Sequence, residues 1–227
     1  MNRYPDARAA AEACGKRILT LLGEAIERNG RATLAISGGS SPKLMFESFA
    51  KTTFAWDRLH VFWVDERGVP PDDPQSNFKL ANDAWLAPAR FPAANLHRIQ
   101  AELDAATAAK LYVDEIRAAL PGKTPEFDVI HQGMGPDGHT ASLFPGEPLI
   151  EDRQGIAAAV WVEKFKQWRI TLLPAVLIAA RHTAMLVTGA EKTPALEAVV
   201  HGIYQPLKFP AQIVARHARD AAWFLDF

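Results

Sequence analysis

The sequence predicts an α/β fold in which a mostly parallel, Rossmann-like sheet is flanked by helices. Short apolar segments typical of buried strands alternate along the chain with segments whose apolar residues recur at helical spacing. Four strand-like segments end in glycine, hydroxyl or charged residues, at Ser37, Asp65, Gly133 and Thr188. Right-handed crossovers bring the carboxyl ends of parallel strands to one edge of the sheet. We therefore expect these four ends to share a pocket.

Length and composition indicate one globular domain that spans residues 1–227. Of the 227 residues, 48% are hydrophobic and 22% are charged, and no Gly/Ser-rich or Pro-rich linker divides the chain. The formal net charge of -1 argues against a broad nucleic-acid-binding surface, which needs clustered lysines and arginines. A small anionic ligand needs only a few local cations and remains compatible with this charge.

The chain is expected to be cytoplasmic, with no membrane partner. The N-terminal residues do not begin a signal peptide. The longest apolar run, 172–180, contains Pro174 and is too short to cross a bilayer. The single cysteine, Cys14, lies in a helical pattern and is expected to pack in the core, and the lack of a second cysteine suits a reducing compartment.

Helices are predicted where apolar spacing coincides with start and stop residues. The first carries Ile18, Leu22 and Ile26 at four-residue spacing and is expected to stop at Asn29-Gly30. Another begins at Asp104, a favoured N-terminal cap. The predicted helices are 6–28, one that begins near Pro42 with Ser40 or Ser41 as its cap, one from Ser76-Asn77 through Trp85, 104–120, 174–181, and 195–200 capped by Thr193.

Strands are predicted for the short apolar runs bounded by turn residues. The runs at 32–36 and 183–187 each lead into a glycine turn and then into a helix. The full set of predicted strands is 32–36, 59–64, 96–99, 127–130, 157–162, 168–172, 183–187 and 212–215, and residues 223–227 are expected to pack or fray.

The turn after the first strand has the features of an anion site. Ser37-Gly38-Gly39-Ser40-Ser41 stands between a strand and a helix N-terminus. Free N–H groups and the helix dipole favour an anion at such a place, and the serine hydroxyls add donors. A tight turn before a capped helix explains the same residues. The spacing matches no nucleotide-binding motif.

The loop at Gly133 to Gly146 carries the residues most suited to catalysis. Gly133, Gly135 and Gly138 satisfy the dinucleotide spacing, but Asp137 would repel a pyrophosphate and Pro136 removes an N–H, so we reject a dinucleotide. His139 follows Asp137 at two residues, and an imidazole with a near-neutral pKa suits general-base work.

Charged residues at the other predicted strand ends complete a candidate site. Asp65-Glu66-Arg67 directly follows a buried strand, where unpaired charge is costly, although a solvated loop is the commoner explanation. Arg67 is a candidate to bind a phosphate or stabilise an oxyanion, and Arg169 and Lys192 are candidates to neutralise an anionic substrate. No metal-ligand spacing and no serine nucleophile elbow occur.

Taken together, these motifs resemble the 6-phosphogluconolactonase family along nearly the whole chain. The resemblance rests on residues 37–42, 65–67, 76–77, 133–146, Arg169 and 189–192. Its most specific part is Asp-Gly-His-Thr-Ala-Ser-Leu-Phe-Pro-Gly, which ends at Gly146. The chain departs from the family at Ser41, where threonine is usual, and at His131 and Gln132, where aliphatic residues are common.

The resemblance also separates this chain from the related glucosamine-6-phosphate deaminases. Those enzymes share the Asp-Gly-His segment but continue with an Asn-Glu-Pro-Gly-like run, whereas Ser142-Leu143-Phe144 follows here. They also tend to have a residue other than arginine where Arg67 stands. A deaminase or isomerase, and a sugar-phosphate sensor without activity, remain the alternative interpretations.

The resemblance implies a NagB/RpiA-like fold and hydrolysis of 6-phospho-D-glucono-1,5-lactone in the oxidative pentose phosphate pathway. It implies no metal and no dissociable cofactor, and a partner list limited to a phosphorylated sugar lactone, with the chain a monomer or small homo-oligomer. Catalytic roles are expected for His139, Asp137 and Arg67. Asp137 would orient His139 or bind sugar hydroxyls, and Asp65 would bind a hydroxyl or align Arg67. Substrate binding is expected from Ser37, Gly38, Gly39, Ser40, Ser41, Asp65, Arg169 and Lys192.

Overall fold

Ten strands and seven helices make up the fold in a computed structural model that describes residues 1–227. The strands are β1 Asn2–Arg3, β2 Ala32–Ile36, β3 Leu59–Trp63, β4 Asp65–Arg67, β5 Leu96–His97, β6 Val129–Gln132, β7 Ala157–Val162, β8 Gln167–Leu172, β9 His182–Val187 and β10 Ala221–Leu225. The helices are α1 Ala7–Asn29, α2 Ser40–Phe49, α3 Asn77–Ala81, α4 Ala105–Ala119, α5 Pro174–Ala179, α6 Thr193–Val200 and α7 Gln212–His217.

Seven strands form a parallel sheet in the order β1-β10-β9-β6-β2-β3-β5. The four strands whose ends carry polar residues, β9, β6, β2 and β3, are neighbours in the middle of this sheet. Because all four run in the same direction, their carboxyl ends meet at one edge. The predicted parallel α/β fold and the shared edge are both confirmed.

A second, three-stranded sheet is antiparallel, in the order β4-β8-β7. It begins where the chain leaves β3, because Val64 N donates to Ile36 O in the large sheet while Val64 O accepts from Leu172 N beside the small one. Ile170 and Leu172 of β8 are buried in the same 56-residue hydrophobic cluster as the large sheet. The small sheet therefore shares one core with the rest of the chain.

Local residues define the ends of the helices that the sequence predicts best. Asp6 accepts from Ala9 N at 2.8 Å before α1, and Gly30, with φ of 77°, ends that helix. Ser76 accepts from Lys79 N before α3, and Asp104 accepts from Thr107 N before α4. After α3 the chain continues as one π-helical turn, Asn82–Leu86, that buries Trp85.

Two terminal elements differ from the prediction. Residues 212–215 were expected to form a strand but lie in α7, and residues 223–225 pack in the core, as one of the two expected outcomes, but do so as part of strand β10. The apolar run Ile213-Val214-Ala215 is too short for its period to separate helix from strand. Pairing with β9 then fixes the last strand, from Ala221↔Thr183 to Leu225↔Val187.

The remaining corrections concern boundaries and caps. Strand β6 begins two residues later than expected and extends to Gln132, and residues 65–67 form a strand where a loop start was the commoner explanation. Gly39 stands at the N-cap of α2, so neither Ser40 nor Ser41 caps it. Thr193 is the first residue of α6, not its cap, and its Oγ1 donates to Ala190 O.

No helix in the structure is long and apolar enough to cross a membrane. No group of three or more His, Cys, Asp or Glu side chains is arranged to hold a metal ion.

Candidate active site

A cavity of about 250 Å³ opens at the carboxyl edge of β9, β6, β2 and β3. Its wall combines loops from the large sheet with residues of the small sheet. Ten of the eleven residues that the sequence predicts for the site line it: Ser37, Gly38, Gly39, Ser40, Ser41, Asp65, Arg67, His139, Arg169 and Lys192. The eleventh, Asp137, does not line the cavity but contacts His139.

The Ser37–Ser41 loop forms one wall of the cavity. Gly39 has a φ of 120°, a left-handed conformation that favours glycine, and it turns the chain into α2. Gly38 lies so close to Asn77 that a Cβ would come within 1.9 Å of Asn77 Oδ1. The first turn of α2 lines the cavity, and the N-terminal N–H groups of this ten-residue helix can bind an anion.

The loop after β9 lies beside the Ser37–Ser41 loop. The hydroxyls of Ser41 and Thr188 share a short hydrogen bond that joins the two loops. Lys192 stands at the N-cap position of α6, and burial lowers the pKa of its ammonium group, against the opposing charges of Glu191 and Asp226. An anion in the cavity would restore favourable surroundings to this cation.

His139 and Asp137 form a hydrogen-bonded pair. The two atoms His139 Nδ1 and Asp137 Oδ1 are 2.5 Å apart, and Asp137 also accepts from His139 N at 3.3 Å. This hydrogen bond, more than the nearby charge of Lys164, holds the pKa of the Asp137 carboxyl well below its usual range. An ionised Asp137 makes Nδ1 the protonated nitrogen, so Nε2 is left free to accept a proton.

In addition to the hydrogen bond to Asp137, packing fixes the position of the His139 imidazole. The Phe144 ring stacks on it with centroids 4.2 Å apart and planes 28° apart. A Cβ at Gly135 would also come within 2.1 Å of two His139 ring atoms. The closeness of the imidazole therefore requires glycine at this position. Backbone conformation does not require it, because Gly135 is not among the residues with positive φ.

The small sheet contributes two arginines that lie directly opposite each other. Arg67 on β4 pairs with Arg169 on β8 in the antiparallel register. The Nε atoms of both are buried without a hydrogen-bond partner. Burial, together with the charge of Arg67, lowers the pKa of Arg169, while Asp65 acts in the opposite direction. Like charges facing each other across two strands are unfavourable unless an anion lies between them.

Two buried carboxylates fix the strand that carries Arg67. Asp65 is buried, and its Oδ2 accepts from Ser142 Oγ at 2.5 Å, which ties β4 to the loop that carries His139. Glu66 is also buried and accepts from Ser76 Oγ and from the N–H groups of Arg67, Asn77 and Phe78. Arg67 Nη1 in turn donates to Gln75 O, so the segment from β4 to α3 is one hydrogen-bonded unit.

Two residues of the site were not identified from the sequence as functional. Asn77 is buried, donates from Nδ2 to Asp65 O at 2.8 Å, and packs against Gly38. Phe144 supports the His139 ring and lines the cavity. Both belong to segments that the sequence analysis had singled out, 76–77 and 133–146, but an amide and an aromatic ring carry no signal of their own without the contacts.

His131 lies beneath the Ser37–Ser41 loop. Its backbone oxygen accepts from Ser37 Oγ at 3.2 Å, and its Nδ1 accepts from Ser37 N at 3.4 Å, while Nε2 has no partner. The side chain is fully buried, and burial lowers the pKa of His131 from its ordinary 6.5 to about 3. The ring therefore supports the loop in its neutral form.

Comparison with known proteins gives a consistent set of relatives. A family model described as glucosamine-6-phosphate isomerases/6-phosphogluconolactonase matches residues 5–223. The chain is 37% identical to a 6-phosphogluconolactonase of Nostoc sp., over 98% of this chain and 93% of the relative. Among solved structures it is similar to the 6-phosphogluconolactonase of Thermotoga maritima, with 30% identity, a TM-score of 0.85, and 96% and 95% of the two chains covered. The 6-phosphogluconolactonase of Trypanosoma brucei gives 25% identity and a TM-score of 0.90, over 99% and 95% of the chains.

Proposed function

The chain belongs to the glucosamine-6-phosphate isomerase/6-phosphogluconolactonase family, and we propose that it hydrolyses 6-phospho-D-glucono-1,5-lactone to 6-phospho-D-gluconate in the oxidative pentose phosphate pathway. The observation that carries the proposal is the pair His139–Asp137 beside a cavity lined by three cations, Arg67, Arg169 and Lys192. A general base next to a cationic pocket suits a reaction in which water attacks the carbonyl of a phosphorylated substrate.

The residues that distinguish lactonases from deaminases in sequence make contacts in this site. Ser142 donates to Asp65, Phe144 stacks on His139, and Arg67 lines the cavity. These contacts give the lactonase-like residues a structural use, and they favour the lactonase over the deaminase interpretation.

In the proposed reaction, neutral His139 removes a proton from water through Nε2 while the water oxygen bonds to the lactone carbonyl carbon. The carbonyl oxygen becomes an oxyanion, which Arg67 stabilises. Collapse of this intermediate breaks the bond between the carbonyl carbon and the ring oxygen, and His139 returns the proton to that oxygen. Asp137 keeps Nδ1 protonated and the ring oriented; its hydrogen bond to His139 and its place outside the cavity wall support this role over binding of sugar hydroxyls.

Substrate binding is assigned to the anion-binding groups. The Ser37–Ser41 loop, Lys192 and Arg169 would hold the phosphate, which positions the carbonyl beside His139. Asp65 holds Ser142 and offsets the charge of Arg169, so we propose that it aligns the arginines.

The decisive experiment follows acid release from freshly generated lactone, with spontaneous hydrolysis subtracted. The parent protein should accelerate the reaction, and His139→Ala should lower kcat by about a hundred- to ten-thousandfold because general-base assistance is lost. The control is His201→Ala, since His201 is an exposed histidine at the C-terminal end of α6 and does not line the cavity.

Two results would contradict the proposal. Parent-like hydrolysis by His139→Ala would remove that residue from the mechanism. Release of ammonia from glucosamine-6-phosphate, without lactone turnover, would assign the chain to the deaminase branch of the family.

We further propose that residues 1–227 act as one domain, in the cytoplasm, as a monomer or small homo-oligomer. The single hydrophobic core supports the domain assignment, and the single cysteine, which is buried, is compatible with a reducing compartment. Light scattering on the purified chain measures its mass in solution, and a large assembly would contradict the expected state.

A further inference from the structure

The tip of the β7–β8 hairpin lies outside the cavity wall but contacts two of its residues. This tip is the short turn Glu163–Phe165, followed by Lys166 in a left-handed conformation with φ of 49°. Phe165 is 48% exposed and does not line the cavity. Its ring nevertheless lies against Arg169 and Phe144, so its position is not that of a free surface aromatic.

The contact with Arg169 is a cation–π arrangement. The guanidinium carbon of Arg169 is 5.2 Å from the centroid of the Phe165 ring. Arg169 itself is 8% exposed, and its Nε has no hydrogen-bond partner. A ring that covers the flat face of a guanidinium leaves the N–H donors at its edge free for an anion.

The contact with Phe144 fixes Phe165 from the other side. The two rings meet at 69° with centroids 5.7 Å apart, an edge-to-face geometry, and Phe144 stacks on His139. Lys164, the preceding residue, reaches Asp137 Oδ2 at 3.5 Å. The hairpin tip therefore rests on the catalytic loop while it supports the arginine of the small sheet.

We propose that Phe165 is a positioning residue for Arg169: held by Phe144, it orients the guanidinium so that its free donors face the substrate phosphate. This inference rests on the proposed function, because it assigns a support to a residue of the same site. Phe165 touches no reacting atom, and its effect on catalysis passes through Arg169.

The test compares three single variants in the lactone assay. Phe165→Leu keeps an apolar side chain but loses the aromatic face, and it should raise KM about three- to tenfold, the range of a partly desolvated cation–π contact, with a smaller change in kcat. Phe165→Tyr keeps the face and should restore KM to within about twofold of the parent. Trp161→Leu is the matched control, because Trp161 is 43% exposed on the same hairpin and contacts neither Arg169 nor Phe144 through its ring.

A double variant separates positioning from general structural damage. In an Arg169→Met background, Phe165→Leu should change KM by less than about twofold, because the cation on which the ring acts is gone. An equal further rise in KM in that background would overturn the proposal. So would a parent-like KM in Phe165→Leu, or an equal rise in KM for Phe165→Leu and Trp161→Leu.

Failure of the inference can be distinguished from failure of the proposed function. Turnover of the lactone by the parent protein decides the function and does not involve Phe165. If the parent shows no turnover, calorimetry can still compare the affinities of the parent and of Phe165→Leu for 6-phosphogluconate. Equal affinities would then reject the positioning role.

Discussion

The carboxyl edge of the parallel sheet and the small antiparallel sheet contribute different groups to the same cavity. The parallel sheet supplies backbone donors, hydroxyls, Lys192 and the pair His139–Asp137, all on loops that follow a strand. The antiparallel sheet supplies guanidinium groups, Arg67 and Arg169, on the strands themselves. The parallel edge therefore holds the proposed general base together with an anion site, and the small sheet adds two more cations to the cavity.

The difference also appears in how each region is stabilised. At the parallel edge, close backbone approach at Gly135 and the hydrogen bond between His139 and the ionised Asp137 hold the imidazole in place. In the small sheet, two like charges face each other and are partly offset by Asp65. The imidazole of His139 is held in place without a ligand, whereas the two facing arginines are stabilised by an anion. Variants that displace His139 should thus alter kcat, and variants of Arg169 should alter KM.

Among the variants that test this comparison, the largest effect is expected from Gly135→Ala, which would displace His139. The added Cβ would overlap the His139 ring, and displacement of a general base by about 1 Å costs on the order of a hundredfold in kcat. Steady-state kinetics with fresh lactone measures it. Gly133→Ala is the control in the same loop, because its Cβ would meet its nearest neighbour at an ordinary 3.7 Å. Equal kcat in the two variants would show that the ring is not held as described.

The second-largest effect tests the role of the small sheet in binding the substrate. Arg169→Met removes a charged donor from the cavity and should raise KM about ten- to a hundredfold, the value of hydrogen bonds to charged groups, with a smaller change in kcat. Arg169→Lys keeps the charge without the planar fork and should recover only part of the loss. A variant whose kcat falls while KM stays constant would assign Arg169 to the reacting centre and break the distinction between the two regions.

The smallest effect concerns the free energy of unfolding and tests whether His131, at the parallel edge, is neutral in the folded chain. Burial lowers the pKa of His131 to about 3, so below pH 6.5 the unfolded chain binds a proton that the folded chain does not. The free energy of unfolding must then fall as the pH drops from about 6.5, with a contribution of about 1.4 kcal/mol per pH unit. His131→Leu should remove this contribution.

Urea denaturation at pH 7.5 and pH 5.5 provides the measurement. The parent should lose about 1.4 kcal/mol more than His131→Leu between the two values. His201→Leu, a change at an exposed histidine, should follow the parent. Parallel losses in the parent and His131→Leu would mean that His131 takes up its proton in the folded state.

The parallel edge could be predicted well because its signals are local. A strand, a glycine turn and a helix follow one another within residues 32–49, and Asp137 and His139 are two residues apart. Asp6, Ser76 and Asp104 cap their helices through the residues that immediately follow. The prediction that a serine caps α2 is wrong. Ser41 instead forms a hydrogen bond with Thr188, a partner that the local sequence does not show.

The small sheet could be predicted only in part because its pairing is not local. Strands β7 and β8 were expected from their apolar runs, but the pairing of Arg67 with Arg169 joins residues far apart in sequence. A charged triplet gives no indication that it will pair as a strand, so 65–67 was more readily explained as a loop. The same limit applies to β10, whose strand character depends on β9, and to Asn77, whose value to the site comes from its contact with Gly38.

The hydrogen bond between Ser41 and Thr188 has a consequence for how the protein acquires its activity. It closes a loop of 147 residues, and it forms only when β2, β6 and β9 are in register. Such long-range closure is slow, because chain entropy is lost before the contacts that compensate for it have formed. The site therefore has no local precursor. Recovery of lactonase activity during refolding should report the completion of the whole sheet, and a partly folded chain with native helices should be inactive.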